Sequence, residues 1–324
     1  MRVLVTGASG FMGRGLLEFL SQRGCNGIAT GRTPPPNLPH GWTAQTRRKL
    51  LLSKGGEAAV DAVIHLEVKQ HVLQPSPADV AAFQQVNVCG TQEWLEWAAA
   101  LGVQKFVLAS SIKAVQPHDG VAHETALPER IDPYGRSKAA AEAAVRGWAQ
   151  TGHERSAVIL RFAPVYGPGN EANLAAFARQ VLRGRPCLIG DGHTRKSVVS
   201  RSNAVAAIAH AMKNIAAGAH VFNVSDPETP SLNALACMIA DSCKAPKPKH
   251  VPFFMALIAA KFGDLLGRCT GMPFTMTSRR LKTLTEEGIF PVDKLLATGF
   301  VHPQTTAEGI AEMARWVAAG ELSP

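Results

Sequence analysis

The chain has 324 residues, a formal net charge of +9 at pH 7 and a pI near 9.5, with 46% hydrophobic and 18% charged residues. This composition excludes a disordered chain, and the length exceeds what a single core usually holds, so we expect two lobes. The basic residues are scattered, and their densest group, at 47–49, is too short for a nucleic-acid-binding arm. We therefore expect an anionic small-molecule ligand and no nucleic-acid partner.

The spacing of the cysteines and the length of the apolar runs bear on three points: the cellular compartment, metal binding and membrane association. The six cysteines, at positions 25, 89, 187, 237, 243 and 269, include no CxxC pair and no zinc-ligand spacing. We therefore expect reduced thiols, no metal and a cytoplasmic protein. The N-terminus runs from an apolar segment directly into glycines, unlike a signal peptide. The most apolar run, at 251–260, is too short to span a bilayer, and we expect a helix buried against a partner element or a substrate lid, with no membrane partner.

Strand and helix patterns alternate through the first half of the chain. Apolar, β-branched runs predict strands at 2–6, 27–31, 62–66, 104–110 and 156–162. Helical patterns lie between them, one after Gly13, one after Asn87 and one beginning near Pro133. Continuous apolar strands separated by helices indicate an α/β protein with a doubly wound parallel sheet.

The second half of the chain is irregular and rich in helices. Beyond residues 164–170 only single strands are predicted, near 196–200 and 220–225, and prolines are frequent. This change of pattern indicates a smaller lobe packed on the sheet. We therefore divide the chain into a first domain at 1–166 and a second lobe at 167–324, from which some segments return to the sheet.

Three glycines at the end of the first predicted strand indicate a ligand. Gly7, Gly10 and Gly13 follow the strand at 2–6 and open a helix, as in a Rossmann-type dinucleotide-binding turn. One glycine allows the tight turn, the next lets the backbone approach a pyrophosphate, and the third lets the helix pack on the strand. The N–H groups that begin the helix then bind the anion. The alternative interpretation is a strand–turn–helix unit without a ligand.

The end of the second predicted strand bears on the choice of cofactor. An acidic residue there would bind the adenosine ribose of NAD, whereas residues 28–36 contain no Asp or Glu and place Arg32 at this point. A guanidinium suits a 2′-phosphate, so the sequence favours NADP(H) over NAD(H), with Arg14 as a second cation nearby. The alternative is that both arginines are simply solvated.

Tyr134 and Lys138 lie four residues apart, so a helix would place them on one face. A tyrosine is a weak base at neutral pH because its ordinary pKa is about 10, and a neighbouring ammonium lowers that pKa. Such a pair can move a proton at a carbinol whose hydride passes to a nicotinamide. The alternative is a solvated pair of little energetic consequence.

Six segments occur in an order that resembles one enzyme family. They are TGASGFMG at 6–13, DAVIHL at 61–66, NVCGT at 87–91, GVQKFVLASS at 102–111, DPYGRSK at 132–138 and LRFAPVYGPG at 160–169. Together they resemble the extended short-chain dehydrogenase/reductase family of NAD(P)-dependent nucleotide-sugar epimerases, dehydratases and reductases. The resemblance spans almost the whole chain and implies a Rossmann-type domain followed by a smaller C-terminal substrate-binding lobe. It also implies an epimerase or 4-keto reductase that acts at C4 of a nucleotide-activated sugar.

The resemblance implies a role for each matching residue. Tyr134 would be the acid/base, Lys138 would tune it and bind the nicotinamide ribose, and Ser111 would orient the substrate oxygen. The implied cofactor-binding residues are Gly7, Ser9, Gly10, Phe11, Met12, Gly13, Arg32, Leu66, Asn87, Ser110, Tyr134 and Lys138. The implied substrate-binding residues are Ser111, Tyr134, Tyr166, Asn173 and Arg195, the last on the diphosphate. A homodimer through the helices after Asn87 and through Tyr134 is also implied.

The chain departs from the family pattern close to the implied cofactor. Glu67 and Val68 replace a pair of small residues, and the segment 43–53 lacks the aspartate that usually reads adenine. A carboxylate at position 67 could repel phosphate, face outward or mark an altered specificity. These departures leave open a second hypothesis, a catalytically divergent dinucleotide-binding regulatory protein. We interpret His65, inside an apolar strand, as a satisfied core histidine rather than a catalyst.

Overall fold

The computed structural model describes residues 1–33, 35, 37–52, 59–128, 132–270 and 277–321. The end of the segment 43–53 and the side chain of Cys269 lie outside this description. The strands are β1 Arg2–Thr6, β2 Asn26–Gly31, β3 Trp42–Thr46, β4 Ala62–His65, β5 Lys105–Ser111, β6 Ser156–Phe162, β7 Val165–Tyr166, β8 Pro186–Ile189, β9 Val199–Ser200, β10 Gly218–Val224 and β11 Lys249–Val251. The helices are α1 Phe11–Ser21, α2 Arg47–Leu52, α3 Pro77–Ala82, α4 Gly90–Ala100, α5 Pro133–Gln150, α6 Asn173–Leu182, α7 Arg201–Asn214, α8 Leu232–Ser242, α9 Phe253–Thr270, α10 Ser278–Thr285, α11 Asp293–Leu296 and α12 Thr306–Glu321.

A seven-stranded parallel sheet in the order β10-β6-β5-β4-β1-β2-β3 forms the centre of the molecule. Both faces of this sheet are covered, because neighbouring residues of β1 enter different cores. Val3 and Val5 pack beneath α1 and α7, whereas Leu4 packs beneath α4 and α5. The predicted doubly wound parallel α/β sheet is therefore confirmed.

Two strands and one helix differ from their predictions. The edge strand β3 was not predicted, because four of its five residues reach solvent and its sequence WTAQT has no apolar run. The strand near 220–225 is β10, and it joins the main sheet beside β6 rather than standing in the second lobe. The helix expected after Asn87 begins at Pro77, where Ser76 and Asp79 form a capping box, and it continues through a π-helical turn into α4.

The second lobe is built around α6, α8 and α12, which enclose a separate apolar core. At its periphery, β11 leads into α9, which buries Ala256 and Ala260 against Leu281 of α10. Large apolar side chains on the remainder of α9 are exposed. The expectation that the apolar run at 251–260 is buried is therefore wrong for the outer face of this helix, because α10 covers only the stripe of small residues. Within the described ranges, no helix is long and apolar enough to cross a bilayer.

A buried carboxylate anchors α5 to the sheet. Glu142 is fully buried, and both its oxygens contact the guanidinium of Arg161 on β6, with Nη2 to Oε2 at 2.8 Å. Arg146 Nη2 donates to the same carboxylate at 2.9 Å, and the Ser110 hydroxyl of β5 donates to it at 2.6 Å. The network therefore connects α5 with both neighbouring strands. It needs all its members, because a buried charge without its partner is strongly destabilising.

We predict that Glu142→Gln lowers the free energy of unfolding by about 3 kcal/mol, because it leaves the charge of Arg161 buried without a counter-charge. Urea unfolding measures this change. Glu154→Gln, at an exposed position, is the matched control and should stay within about 0.5 kcal/mol of the wild type. Equal stabilities of the two variants would contradict the prediction.

Candidate active site

The glycine turn is tightly packed against the end of β4. Gly7 has φ +64°, and a Cβ there would lie 2.8 Å from the carbonyl carbon of Leu66. A Cβ at Gly13 would lie 2.5 Å from the oxygen of Gly7, so this third glycine lets α1 rest on the turn. Gly10 is exposed, and α1 begins there without a side-chain cap. The turn therefore has the uncapped N–H groups and the open approach that a diphosphate requires.

The other residues predicted to bind the cofactor surround this turn. Ser9 Oγ lies 3.2 Å from where a Cβ on Gly31 would stand, at the end of β2, and the next residue, Arg32, is exposed. Met12 packs on the sheet core, and the ring of Phe11 lies 5.0 Å from the guanidinium of Arg201. Ser9 and Arg32 thus share one edge of the turn, whereas the side chains of Phe11 and Met12 contact protein.

A closed hydrogen-bond network surrounds His65. The hydroxyl of Thr91 donates to Asn87 O at 2.7 Å, so it accepts from His65 Nε2 at 3.1 Å. His65 Nδ1 therefore accepts from the Thr6 hydroxyl at 2.8 Å, and Thr6 accepts in turn from Leu66 N–H. Burial first, and then nearby positive charges, lower the pKa of His65 from 6.5 to about 3. The histidine is a neutral, satisfied core residue, as the sequence indicated.

Asn87 is committed to protein partners. Its side chain is buried within the π-helical turn, where its Oδ1 accepts from Lys69 N at 2.8 Å. Its Nδ2 donates to Lys69 O at 3.3 Å and to the Ser137 hydroxyl at 2.9 Å, and Ser137 donates to Tyr134 O at 2.7 Å. Cofactor binding by Asn87 itself stays a prediction, and these contacts give its side chain a structural task. Its amide positions the loop after β4 and the first turn of α5.

The two departures from the family pattern lie side by side. Glu67 Oε2 is 3.5 Å from Arg47 Nε, at the start of α2, and it accepts from Trp94 Nε1 at 3.1 Å. Arg47 also pairs with Glu93 and lies over the ring of Trp94 at 5.9 Å. The carboxylate after β4 is thus compensated by the segment that lacks the usual aspartate. Sequence reasoning identified both anomalies but missed their pairing. A carboxylate so close to the predicted diphosphate site implied that a cation lies nearby to compensate it.

Ser111, Tyr134 and Lys138 meet at the C-terminal edge of the sheet. Asp132 caps α5 by accepting from Gly135 N at 2.8 Å, which confirms the predicted helix start. The Ser111 hydroxyl, at the end of β5, is near enough to the Tyr134 phenol to act on its pKa. The ammonium of Lys138 donates to the carbonyl of Ala109, on the same strand, at 2.7 Å. The first turns of α5 therefore hold both predicted residues against β5.

The pKa of Tyr134 moves opposite to its predicted direction. Burial raises it from 10 to about 12, against the lowering effect of the Ser111 hydroxyl, and the charge of Asp132 adds to the increase. Burial also lowers the pKa of Lys138 to about 8, although the charge of Glu142 opposes that shift. Burial thus outweighs the local charges at both groups, so the phenol is protonated at neutral pH and the amine is close to its titration point.

The hydroxyl of Ser110 contacts protein. It is buried on the opposite face of β5 from Ser111, as strand alternation requires, and it donates to Glu142. Cofactor binding by Ser110 stays a prediction. The contact with Glu142 makes its side chain a structural hydroxyl.

The predicted substrate residues fall into two groups. Tyr166 is buried in the core of the second lobe, and its hydroxyl donates to Asp226 Oδ2 at 2.6 Å. This buried partner gives Tyr166 a structural role in the core, and its substrate contact stays a prediction. Asn173 is exposed at the start of α6, and Arg195 is exposed with its Nε donating to Thr229 O at 3.1 Å. Their substrate contacts stay predictions.

Comparison with known proteins agrees with this geometry. Residues 3–225 match the NAD dependent epimerase/dehydratase family. The chain belongs to this family. It is 27% identical to an N-acetyl-alpha-D-glucosaminyl-diphospho-ditrans,octacis-undecaprenol 4-epimerase of Escherichia coli O157:H7, over 95% of this chain and 92% of the relative. It is 28% identical to a UDP-glucose 4-epimerase of Vibrio cholerae, over 97% and 94% of the two chains.

One solved structure matches this chain along nearly its whole length. MoeE5 in complex with UDP-glucuronic acid and NAD superposes with a TM-score of 0.76 and 26% sequence identity. The match covers 99% of this chain and 100% of the other. The family and its fold, which the sequence motifs indicated, are thereby confirmed.

We predict that the neutral state of His65 makes the protein sensitive to acid. The folded pKa, about 3, lies below the ordinary value of 6.5, so stability is complete above pH 6.5 and falls as the pH decreases toward 3. Protonation linked to this histidine alone should lower the free energy of unfolding by about 3 kcal/mol between pH 7 and pH 4. Urea unfolding across this range should show a shallower pH dependence for His65→Asn. His153→Gln, at an exposed histidine, should keep the wild-type slope, and an unchanged slope in His65→Asn would refute the assignment.

Proposed function

We propose that the protein is an NAD(P)-dependent enzyme that oxidises and reduces C4 of a nucleotide-activated sugar, as an epimerase or a 4-keto reductase. The observation that carries this proposal is the convergence of Ser111, Tyr134 and Lys138 at one end of the sheet. The uncapped glycine turn lies at the same edge, since β1 and β5 are parallel and flank β4. Ligands of open α/β sheets bind at this edge.

The side chains of the site suit proton transfer at a carbinol. A bound nicotinamide would supply or accept the hydride. The protonated phenol of Tyr134 is in the state that donates a proton to a keto oxygen, which is the reductive direction. In the oxidative direction the phenol must first lose its proton so that it can accept one from the carbinol. A positive charge brought near the phenol would lower its pKa and so favour that deprotonated state. Ser111 would hold the substrate oxygen beside the phenol.

Lys138 suits the task of binding a ribose. Its ammonium has three donors, of which one reaches Ala109 O. The remaining donors can bind the hydroxyls of a nicotinamide ribose while the contact with Ala109 fixes the ammonium in place. With a pKa of about 8, the group is mostly charged at neutral pH, and it would lose that charge in mild alkali.

We further propose that the cofactor is NADP(H) rather than NAD(H). The supporting feature is Arg32, exposed at the end of β2 and close to Ser9, where a 2′-phosphate would lie. The pairing of Glu67 with Arg47 also supports dinucleotide binding, because it offsets a carboxylate whose backbone adjoins the glycine turn. Substrate binding by Arg195 and Asn173, the homodimer and the cytoplasmic location stay predictions.

A sugar linked through diphosphate to a polyprenol is a second candidate substrate. One relative of this chain carries such a substrate in its name, and the exposed apolar face of α9 is a feature that a lipid-linked substrate would explain. The two candidates share the sugar and the diphosphate, so the same Tyr134 chemistry applies to both. Parallel assays with UDP-N-acetylglucosamine and its polyprenyl-diphosphate counterpart distinguish them. The alternative of a catalytically divergent regulatory protein requires that neither substrate turns over.

The only two tyrosines of the chain provide a matched test of this function. We predict that Tyr134→Phe lowers kcat by about a thousandfold, because the proton donor is lost while the ring remains. Tyr166→Phe makes the same chemical change in the core and should leave kcat nearly unchanged. It should instead lower the free energy of unfolding by about 1–3 kcal/mol, because buried Asp226 loses a donor.

Steady-state turnover of sugar nucleotides and urea unfolding measure both effects. Full activity of Tyr134→Phe would exclude the proposed mechanism. With a 4-keto sugar and added NADPH, stoichiometric consumption of NADPH identifies a reductase. Interconversion of C4 epimers without net consumption identifies an epimerase.

We predict that Arg32→Ala weakens NADPH binding by about tenfold and leaves NADH binding nearly unchanged, because only NADPH carries the 2′-phosphate. Fluorescence titration of each cofactor measures this. Arg23→Ala, which removes a guanidinium that lies over Phe19, is the control and should affect neither cofactor. Tighter binding of NADH than of NADPH by the wild type would contradict the NADP preference.

A further inference from the structure

The helix α9 is built with its small residues inward and its large residues outward. Ala256, Ala260 and Gly263 are buried on the side that meets α10. Six large apolar side chains are instead between 50% and 65% exposed: Phe253, Phe254, Met255, Ile258, Phe262 and Leu265. We call this set the outer face of α9. The helices of a globular protein normally bury such residues and expose polar ones.

The spacing of the outer face makes it continuous along the helix. Phe254, Ile258, Phe262 and Leu265 follow one another at intervals of four, four and three residues, which is one stripe of an α-helix. Contiguous exposed apolar surface of this kind marks a site of interaction rather than a solvated surface. Lys261 is the one charged residue between Phe253 and Gly263.

A basic segment leads directly into this helix. Lys244, Lys247 and Lys249 are all exposed, and residues 243–252 contain no acidic side chain. Arg185 is exposed beside the start of β8, which pairs in parallel with β11, so it adds a further positive charge to the same region. The apolar outer face and a concentration of positive charge therefore adjoin each other.

We propose that the outer face of α9 and the basic segment dock the protein on the surface of an anionic lipid bilayer. Such a surface meets both features at once, because acyl chains cover apolar side chains and anionic headgroups attract lysines. A second copy of the chain fits less well. A two-fold interface presents the same patch on both subunits. It would bring two basic segments into one contact, and neither residues 243–252 nor the six outer-face residues include an acidic side chain to offset them. This proposal differs from the sequence-based expectation of no membrane partner.

The contacts of α10 connect α9 with the segment that carries Arg195, a predicted substrate residue. Asp264 of α9 accepts from Ser278 N of α10 at 3.2 Å. Near the other end of α10, Thr283 O accepts from Lys196 Nζ at 3.1 Å, and Lys196 follows Arg195 in the chain. The proposal goes beyond the proposed function, and its test is separate, since its evidence lies on α9 and residues 243–252 and uses none of Ser111, Tyr134 and Lys138.

Vesicle flotation of the full chain, without substrate or cofactor, tests the docking. The vesicles are phosphatidylcholine alone and an equimolar mixture of phosphatidylcholine and phosphatidylglycerol. We expect wild-type protein to float with the anionic vesicles, less so at high salt, and to bind the neutral vesicles more weakly. Ile258→Glu/Phe262→Glu should weaken binding at least about tenfold. Leu296→Glu/Val301→Glu, which changes two exposed apolar residues elsewhere, should bind as the wild type does.

The lysines require a separate comparison. Lys247→Gln/Lys249→Gln should weaken binding to anionic vesicles about twenty- to thirtyfold, whereas Lys213→Gln/Lys294→Gln, with the same loss of charge, should change it little. The proposal is overturned if the wild type does not float, or if the outer-face variant binds as its control does. It is also overturned if the wild type does not bind vesicles and sedimentation velocity shows that the chain self-associates through the outer face. Turnover of a water-soluble sugar nucleotide, measured in parallel, reports on the proposed function alone.

Discussion

The buried carboxylate of Glu142 is the constraint on which the candidate site depends. It is fully buried, and its charge is stabilised by the guanidinium groups of Arg161 and Arg146 and by the hydroxyl of Ser110. These partners lie on β5, β6 and α5, and satisfying one carboxylate therefore fixes the helix relative to both strands. Lys138 is one turn before Glu142 on α5, so its reach to Ala109 follows from the same anchor.

A second set of hydrogen bonds connects the cofactor side with the catalytic helix. It runs from Thr6 at the end of β1 through His65 and Thr91 to Asn87, and from Asn87 through Ser137 to Tyr134 O. Each link is buried and uses a short polar side chain, so little movement is possible without breaking a bond. The glycine turn and the phenol are therefore parts of one rigid arrangement. Asn87, to which sequence motifs attribute a cofactor contact, is a member of this framework.

Local patterns predicted the fold well, and they selected three side chains that the fold brings to one end of the sheet. The parallel sheet follows from continuous apolar strands, and Asp132 and Pro133 mark the start of α5 because capping is a property of adjacent residues. Features that depend on distant partners were not predictable in this way. Tyr166 finds Asp226, and Glu67 finds Arg47, only once the chain has folded. The strand β3 has no apolar signal at the sheet edge, and the pKa of Tyr134 depends on the total burial of the phenol, which no spacing of residues encodes.

The return of β10 to the sheet has a consequence for synthesis on the ribosome. All seven residues of β6 are buried, yet one of its edges stays without a partner until residues 218–224 have been made. Throughout that interval the nascent first lobe carries an apolar strand with unpaired backbone groups, which is the kind of edge that aggregates or recruits chaperones. The two lobes are consequently not successive folding units. A chain that stopped after the first lobe would expose the unpaired edge of β6. The central sheet can therefore be completed only after part of the second lobe has been synthesised.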